Sequence, residues 1–190
     1  PDGVGSAAYV AAAMVAPLAE SVVAEASIVR MGQHALARWP ELIAPLPAPV
    51  YWQQNGTLIV WHRQDAGDAA RLRGLFEHRQ AEVAGLPAMQ PLDAAGVAAA
   101  DPALAGRFAQ GLLLPGEGQI DNRQLFAALA QDMQQLGVAV HYDSPRELGD
   151  FRPGEAGQSD WLIDCRGLGA RQQWQALRGV RGEVVRIHAQ

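Results

Sequence analysis

Gly111-Leu112-Leu113-Leu114-Pro115-Gly116-Glu117-Gly118-Gln119-Ile120-Asp121-Asn122-Arg123 changes its local preference three times. The apolar run 111–114 reads as a buried strand, and Pro115-Gly116-Glu117-Gly118 reads as a polar turn. Asp121 then stands where an N-cap belongs, before a helix expected from Arg123 to Leu136. Gly137 follows, at the position that favours a left-handed residue. Strand, turn and capped helix in one stretch make the chain mixed α and β. Downstream, 138–142 and 161–165 read as further strands, the latter opening into Arg166-Gly167-Leu168-Gly169-Ala170 and a helix-like stretch, 171–177. The tail 182–187 begins one more strand.

Upstream, Leu72, Leu75 and Phe76 share one face of a helix expected over 68–83, and 86–105 reads as one short helix with loops. Asn55-Gly56 between two β-type runs signals a hairpin, because both central positions favour positive φ. Val22, Val23, Ile28, Val29, Leu36 and Trp39 recur at helical spacing over 20–39, and Pro40 is expected to stop that helix. Residues 1–19 are rich in glycine and alanine, the composition of a tightly packed turn and helix start. The chain shows no internal repeat and no low-complexity linker.

The chain has 190 residues, 49% hydrophobic and 18% charged, which is the composition of a folded domain rather than a disordered one. Fifteen positive charges against twenty negative give a formal charge of −5, so a large basic face for nucleic acid is not expected. Every positive residue is arginine, which removes Schiff-base chemistry and the P-loop lysine. The single cysteine, Cys165, excludes a disulfide within the chain and a cysteine-based zinc site, and points to a reducing, cytoplasmic setting. No apolar run is long enough to span a membrane, and no basic residue precedes Arg30 to make Ala11–Leu18 a signal peptide. The chain starts Pro1-Asp2-Gly3 without methionine, which reads as an excised or processed piece.

Two glycine patterns bear on nucleotide binding. Gly3-Val4-Gly5-Ser6-Ala7-Ala8 matches the letters of the dinucleotide fingerprint, but only two residues precede it, where a strand must deliver the glycines to a helix N-terminus. Gly167-Leu168-Gly169 does follow a strand-like run, yet Gln172 occupies the third glycine slot. That pattern fits either a tight strand-to-helix turn or a close backbone approach to a cofactor. His34, His62, His78, His141 and His188 show no metal-ligand spacing, and Ser6 and Ser144 lack a nucleophile elbow. The five tryptophans sit beside apolar positions and read as core. No constellation for acid–base or nucleophilic catalysis is visible, so the hard chemistry of any enzyme built on this chain belongs to a cofactor.

Read in order, several stretches resemble the FAD-dependent glycine oxidases of the D-amino acid oxidase family, the type found in thiamine biosynthesis. Ala11-Ala12-Ala13-Met14-Val15-Ala16-Pro17-Leu18 resembles that family's "AAGM-x-AP" segment, and Asn55-Gly56-Thr57-Leu58 its "TGTL" strand. Leu114 to Asp121 resembles the "P-G-D-G-x-V-D" turn. Asp164 to Ala170 and Val180-Arg181-Gly182-Glu183 fall in the order of its flavin-domain strand and "V-R-G-x" strand.

The resemblance implies an α/β fold: an incomplete FAD-binding Rossmann-like domain interleaved with a mixed-sheet substrate domain. The division it implies is 1–44 and 121–180 for the FAD side, 45–120 for the substrate side, and 181–190 for the start of a second substrate-side segment. It further implies flavin oxidation of glycine or a similar small primary or secondary amine to an imine, with oxygen reduced to hydrogen peroxide. Ala7, Ala8, Ala12 and Ala13 are carried over as backbone contacts of FAD, Met14 as the pocket wall near the substrate, and Arg146 and Gly167 as further cofactor contacts. Homo-oligomerisation is compatible with this reading.

Departures from the family are plain: Ala8 replaces a usual Ser or Thr, Ala13 a common Gly, and Arg146 a small apolar residue. The family's first strand and fingerprint would precede Pro1, and its substrate-carboxylate arginine would follow Gln190. The piece alone is therefore expected to hold FAD weakly or not at all and to be inactive. The rival readings are the flavin domain of another amine oxidoreductase, including a tRNA-modifying one, and a non-enzymatic α/β interaction domain.

Overall fold

The structure, a computed structural model, describes residues 5–154 and 160–185. These fall into two compact units, Ser6–Val138 and a smaller one made of residue 5 with 139–154 and 160–185. The fingerprint-like letters at Gly3 and the end of the 182–187 run lie outside the described residues.

The larger unit is built around two small antiparallel sheets. Strands β1 (Met14–Val15), β2 (Trp52–Gln53) and β6 (Gly118–Ile120) form one, in the order β1-β6-β2. Strands β3 (Thr57–Val60), β4 (Gln90–Asp93) and β5 (Gln110–Leu114) form the other, in the order β3-β5-β4. The expected strand over 111–114 is β5, and its central place explains its near-continuous apolar run. β4 was not foreseen, because Gln90-Pro91-Leu92-Asp93 carries little β preference and proline is tolerated only on a sheet edge, where β4 sits.

The Asn55-Gly56 hairpin does not form. β2 pairs with β6 and β3 with β5, so the chain passes from one sheet to the other at 54–56. Residues 52–60 and 110–120 instead make one long antiparallel ribbon, bent where residues 54–56 lie opposite 115–118. One extra residue on the second side is a bulge, and a bulge bends and twists a strand pair. Gly56 sits at this bend with φ +92, and a Cβ there would lie 2.7 Å from the Leu114 carbonyl oxygen.

The helices follow the sequence more closely. The segment expected over 68–83 is α3 (Ala66–Glu82), with Phe76 buried, Leu72 half-buried and Leu75 turned outward. The helix expected over 123–136 is α5 (Asn122–Gln135), capped by Asp121 through 2.9 Å bonds from the Arg123 and Gln124 N–H groups. Gly137 ends it with φ +69. The helix expected over 20–39 is divided: a 3-10 turn (Ala19–Val22) precedes α2 (Ala26–Ile43), which runs through Pro40. Proline removes one intrahelical bond, and this close to the helix end the loss is tolerated. Arg79 of α3 secures the break before α2 by donating to the carbonyls of Ser21 and Ala24. Two short helices, α1 (Ala7–Val10) and α4 (Ala94–Ala100), complete the set.

Leu18, Phe76, Leu112 and Leu114 form the buried cluster, with Ile59, Trp61, Leu72 and Met89 packed against it. Each of the four buried side chains contributes about 1.5–3 kcal/mol on burial. The core therefore ties the alanine-rich segment, through Leu18, to α3 and the β3-β5-β4 sheet.

The smaller unit departs from expectation. Residues 138–142, 161–165 and 182–185 are not strands, and 171–177 is a series of turns rather than a helix. Trp161 and Ile163 are 83% and 81% exposed, where a buried strand was expected. A strand needs a neighbouring strand for its N–H and C=O groups, and no described strand runs beside these residues. Among the described residues, no helix is long and apolar enough to cross a membrane.

Candidate functional site

The alanine-rich segment 7–19 is held at its start, middle and end by the stretch 117–122. Ser6 opens it as the cap of α1, its hydroxyl oxygen accepting from the Tyr9 N–H at 3.2 Å. The last carbonyls of a helix have no partner within it, and here Asn122 supplies one. Its buried Nδ2 donates to the carbonyls of Ala8, Tyr9 (3.0 Å) and Ala11 (3.0 Å). Tyr9 also packs edge-on against Phe126, with the Arg123 guanidinium 4.9 Å from its ring centre.

The chain then turns at Ala13, whose φ of +59 is uncommon for any residue but glycine. The Ile120 N–H donates to the Ala13 carbonyl at 3.2 Å, and Met14 and Val15 pair with Gln119 and Gly118. Next, Glu117 Oε1 accepts from the N–H groups of Leu18 (2.8 Å) and Ala19 (2.9 Å), fixing the start of the 3-10 turn. Glu117 is 2% exposed; among the described residues its second oxygen, Oε2, is buried without a hydrogen-bond partner, as is the hydroxyl of Ser21, two residues after Ala19. Gly118 completes the site by having no side chain, since a Cβ would lie 2.7 Å from Cη2 of Trp52.

Three stretches singled out by the sequence meet here. Ala12 and Met14, then Asn55, Gly56 and Thr57, then Glu117, Gly118 and Gln119 line one cavity of about 320 Å³, joined by Gln53. Met14 is half exposed at its wall. Ala7 and Ala8 lie on exposed positions of α1, and Ala13 is half-buried between Ala12 and Met14. Of the seven anticipated residues, Ala12 and Met14 line this cavity, whereas Ala7, Ala8 and Ala13 lie on the same segment of chain outside its lining.

Arg146 and Gly167 belong to the smaller unit. Arg146 lines a cavity of about 440 Å³ with Ser144, Glu147 and residues 162–166. There Arg166 donates two hydrogen bonds to the Asp164 carboxylate, which lowers the Asp164 pKa from 3.8 to about 2 and raises that of Arg166. Gly167 follows at once with φ +55 and opens a 3-10 turn, Gly167–Ala170. The expected strand-to-helix turn is therefore corrected to a turn leaving extended coil, with open space where a Cβ would stand.

Sequence reasoning missed Glu117 and Asn122 as site residues. The signal available was a carboxylate between two glycines, and an amide-bearing residue directly after the cap Asp121.

Compared with known proteins, the whole chain, residues 1–190, matches the DAO family, FAD dependent oxidoreductase. The chain belongs to the FAD-dependent oxidoreductase family. It is 31% identical over 183 residues to a Rhizobium etli protein named as a thiamine biosynthesis oxidoreductase, ThiO, covering 96% of this chain and 49% of that protein. It thus spans about half the length of the curated relative it matches. Among solved structures, glycine oxidase from Geobacillus kaustophilus is 23% identical, with TM-score 0.55, over 72% of this chain and 37% of that one. Iminodiacetate oxidase from a Chelativorans species is 18% identical, with TM-score 0.58, over 74% and 38%. Both are likenesses of fold. The α/β class follows, and the family's cofactor is FAD. The residues present suit it: Ala7, Ala8 and Ala12 offer exposed methyls on a backbone fixed by hydrogen bonds, leaving room for a planar ring to approach the chain.

Proposed function

We propose that the complete protein oxidises glycine or a similar small primary or secondary amine, using FAD and molecular oxygen. The observation that carries this reading is the convergence of the Ala12–Met14 segment, the Asn55-Gly56-Thr57 bend and the Glu117-Gly118-Gln119 stretch on one cavity. Its volume, about 320 Å³, suits a small molecule beside one edge of a ring system. The activities in the names of the two structural neighbours, glycine and iminodiacetate oxidation, both act on carbon beside nitrogen, which supports the same chemistry.

A bound FAD would supply the two-electron chemistry: the amine loses a hydride from carbon and a proton from nitrogen, and the same two electrons and two protons would reduce oxygen to hydrogen peroxide. The imine left behind takes up water and releases a carbonyl product and the amine nitrogen. What this chain contributes is position. Ala7, Ala8, Ala12 and Ala13 present backbone to the ring, and Met14 forms the wall against which the substrate rests. Gln53, Asn55, Thr57 and Gln119 line the cavity with uncharged polar groups. Arg146 and the Gly167 turn serve the nucleotide side of the cofactor. In this reading residues 1–44 and 121–180 belong to the FAD side and 45–120 to the substrate side.

The test is oxidation by the full-length protein of glycine, sarcosine and iminodiacetate, followed by peroxide formation and oxygen uptake in step. Stoichiometric peroxide from at least one of them supports the proposal. A flavin-loaded protein that oxidises none of the three overturns the substrate assignment.

A further inference from the structure

We infer that Asn122, assisted by Glu117, is a positioning residue that sets the orientation of the Ala8–Met14 backbone toward the cofactor; the inference rests on the cofactor reading above. A primary amide has two protons, and Asn122 directs them at three carbonyls, those of Ala8, Tyr9 and Ala11. Those carbonyls belong to the end of a one-turn helix too short to be stable by itself. With their oxygens drawn to Asn122, the direction of the peptide planes from 8 to 12 is fixed by a side chain more than 110 residues away.

Glu117 does the converse at the other end. Asn122 donates to carbonyls, whereas Glu117 accepts from the N–H groups of Leu18 and Ala19. Between these two anchors lie the left-handed Ala13 and the β1–β6 pairing. A strained residue persists only where its surroundings over-determine it, and the two anchors supply that constraint. Neither side chain needs to touch the cofactor. They prevent the small-residue segment from relaxing, so the ordering cost is met before the cofactor binds.

Asn122→Asp in the full-length protein keeps shape and size while replacing the donor by an oxygen facing three carbonyls. Two quantities are read: the dissociation constant of FAD at a temperature well below melting, and hydrogen exchange of amides 9–16 in flavin-free protein. Val97→Ala, a core cavity under α4, serves as a control for general destabilisation. The expected result is exchange over 9–16 faster by about tenfold or more, and FAD affinity weakened about tenfold or more, since small misplacements in a preorganised site have effects of this size. The control should lower the melting temperature and leave FAD affinity unchanged. Faster exchange with unchanged affinity, or unchanged exchange, overturns the inference; so does an equal loss of affinity in Val97→Ala. If the parent protein itself takes up no FAD, the cofactor reading falls instead, and the exchange arm alone decides whether the two side chains hold the segment.

Discussion

Replacing Ala13 by glycine should stabilise the protein, against the usual direction of such a change. Ala13 has φ +59, and an L-residue there carries about 1–2 kcal/mol of steric cost that glycine does not. Glycine also loosens the unfolded chain, which costs about 0.5–1 kcal/mol. The net gain for Ala13→Gly is then small, about 0.5–1 kcal/mol. The neighbouring Ala12 is not among the positive-φ residues, so Ala12→Gly incurs the same entropy loss with no strain to relieve. The difference between the two variants cancels the entropy term and leaves the strain itself, about 1–2 kcal/mol. Urea midpoints of the full-length protein without flavin measure both, provided the slopes agree. A difference below about 0.5 kcal/mol, or Ala12→Gly the more stable, would refute the argument that the turn stores strain.

Met14→Trp should reduce kcat/KM about a hundredfold or more while shifting the melting temperature little, because Met14 stands half exposed on the cavity wall rather than in the core; parent-like turnover of glycine would make it an ordinary packing residue. Glu117→Ala strands one buried and one part-buried N–H group and should cost about 1–3 kcal/mol, whereas Glu117→Gln keeps an acceptor for both and should cost less, about 1 kcal/mol or below; chemical denaturation of the two side by side decides. The Asp164 carboxyl, held to about 2 by Arg166, contributes stability that is present above its ordinary 3.8 and lost as pH falls through 2. Carbon-detected NMR titration should therefore find its midpoint near 2, and Arg166→Gln should return it toward 3.8.

What the sequence made legible was local. α5 could be read from Asp121 and Gly137 because a cap and a left-handed stop act within a few residues of themselves. The Asn55-Gly56 pair misled for the same reason: its preference for positive φ is met at Gly56, but pairing is decided by 110–120, far along the chain. The apolar runs at 138–142 and 161–165 have the composition of strands but no strand beside them among the described residues, and composition cannot report a partner. At the site, the order of the family-like stretches brought Ala12, Met14 and the Asn55-Gly56-Thr57 bend into view. Glu117 and Asn122 stayed hidden, since side-chain bonds to backbone 98 to 114 residues distant leave no spacing to read.

The extra residue in the 115–118 bend makes length, more than identity, the property that variation must respect there. Side chains alternate faces along a strand, so removing one residue would shift every later position of β6 by one place. Ile120, now 5% exposed, would turn toward solvent, and Met14 would meet a different neighbour than Gln119. A substitution at Pro115 leaves the register alone, but a deletion would rephase β6 against both of its partners, β1 and β2, while β5 keeps its pairing with β3 and β4. Among descendants of this sequence, gaps should therefore avoid 115–118 and gather elsewhere, in loops such as 101–109 that carry no register.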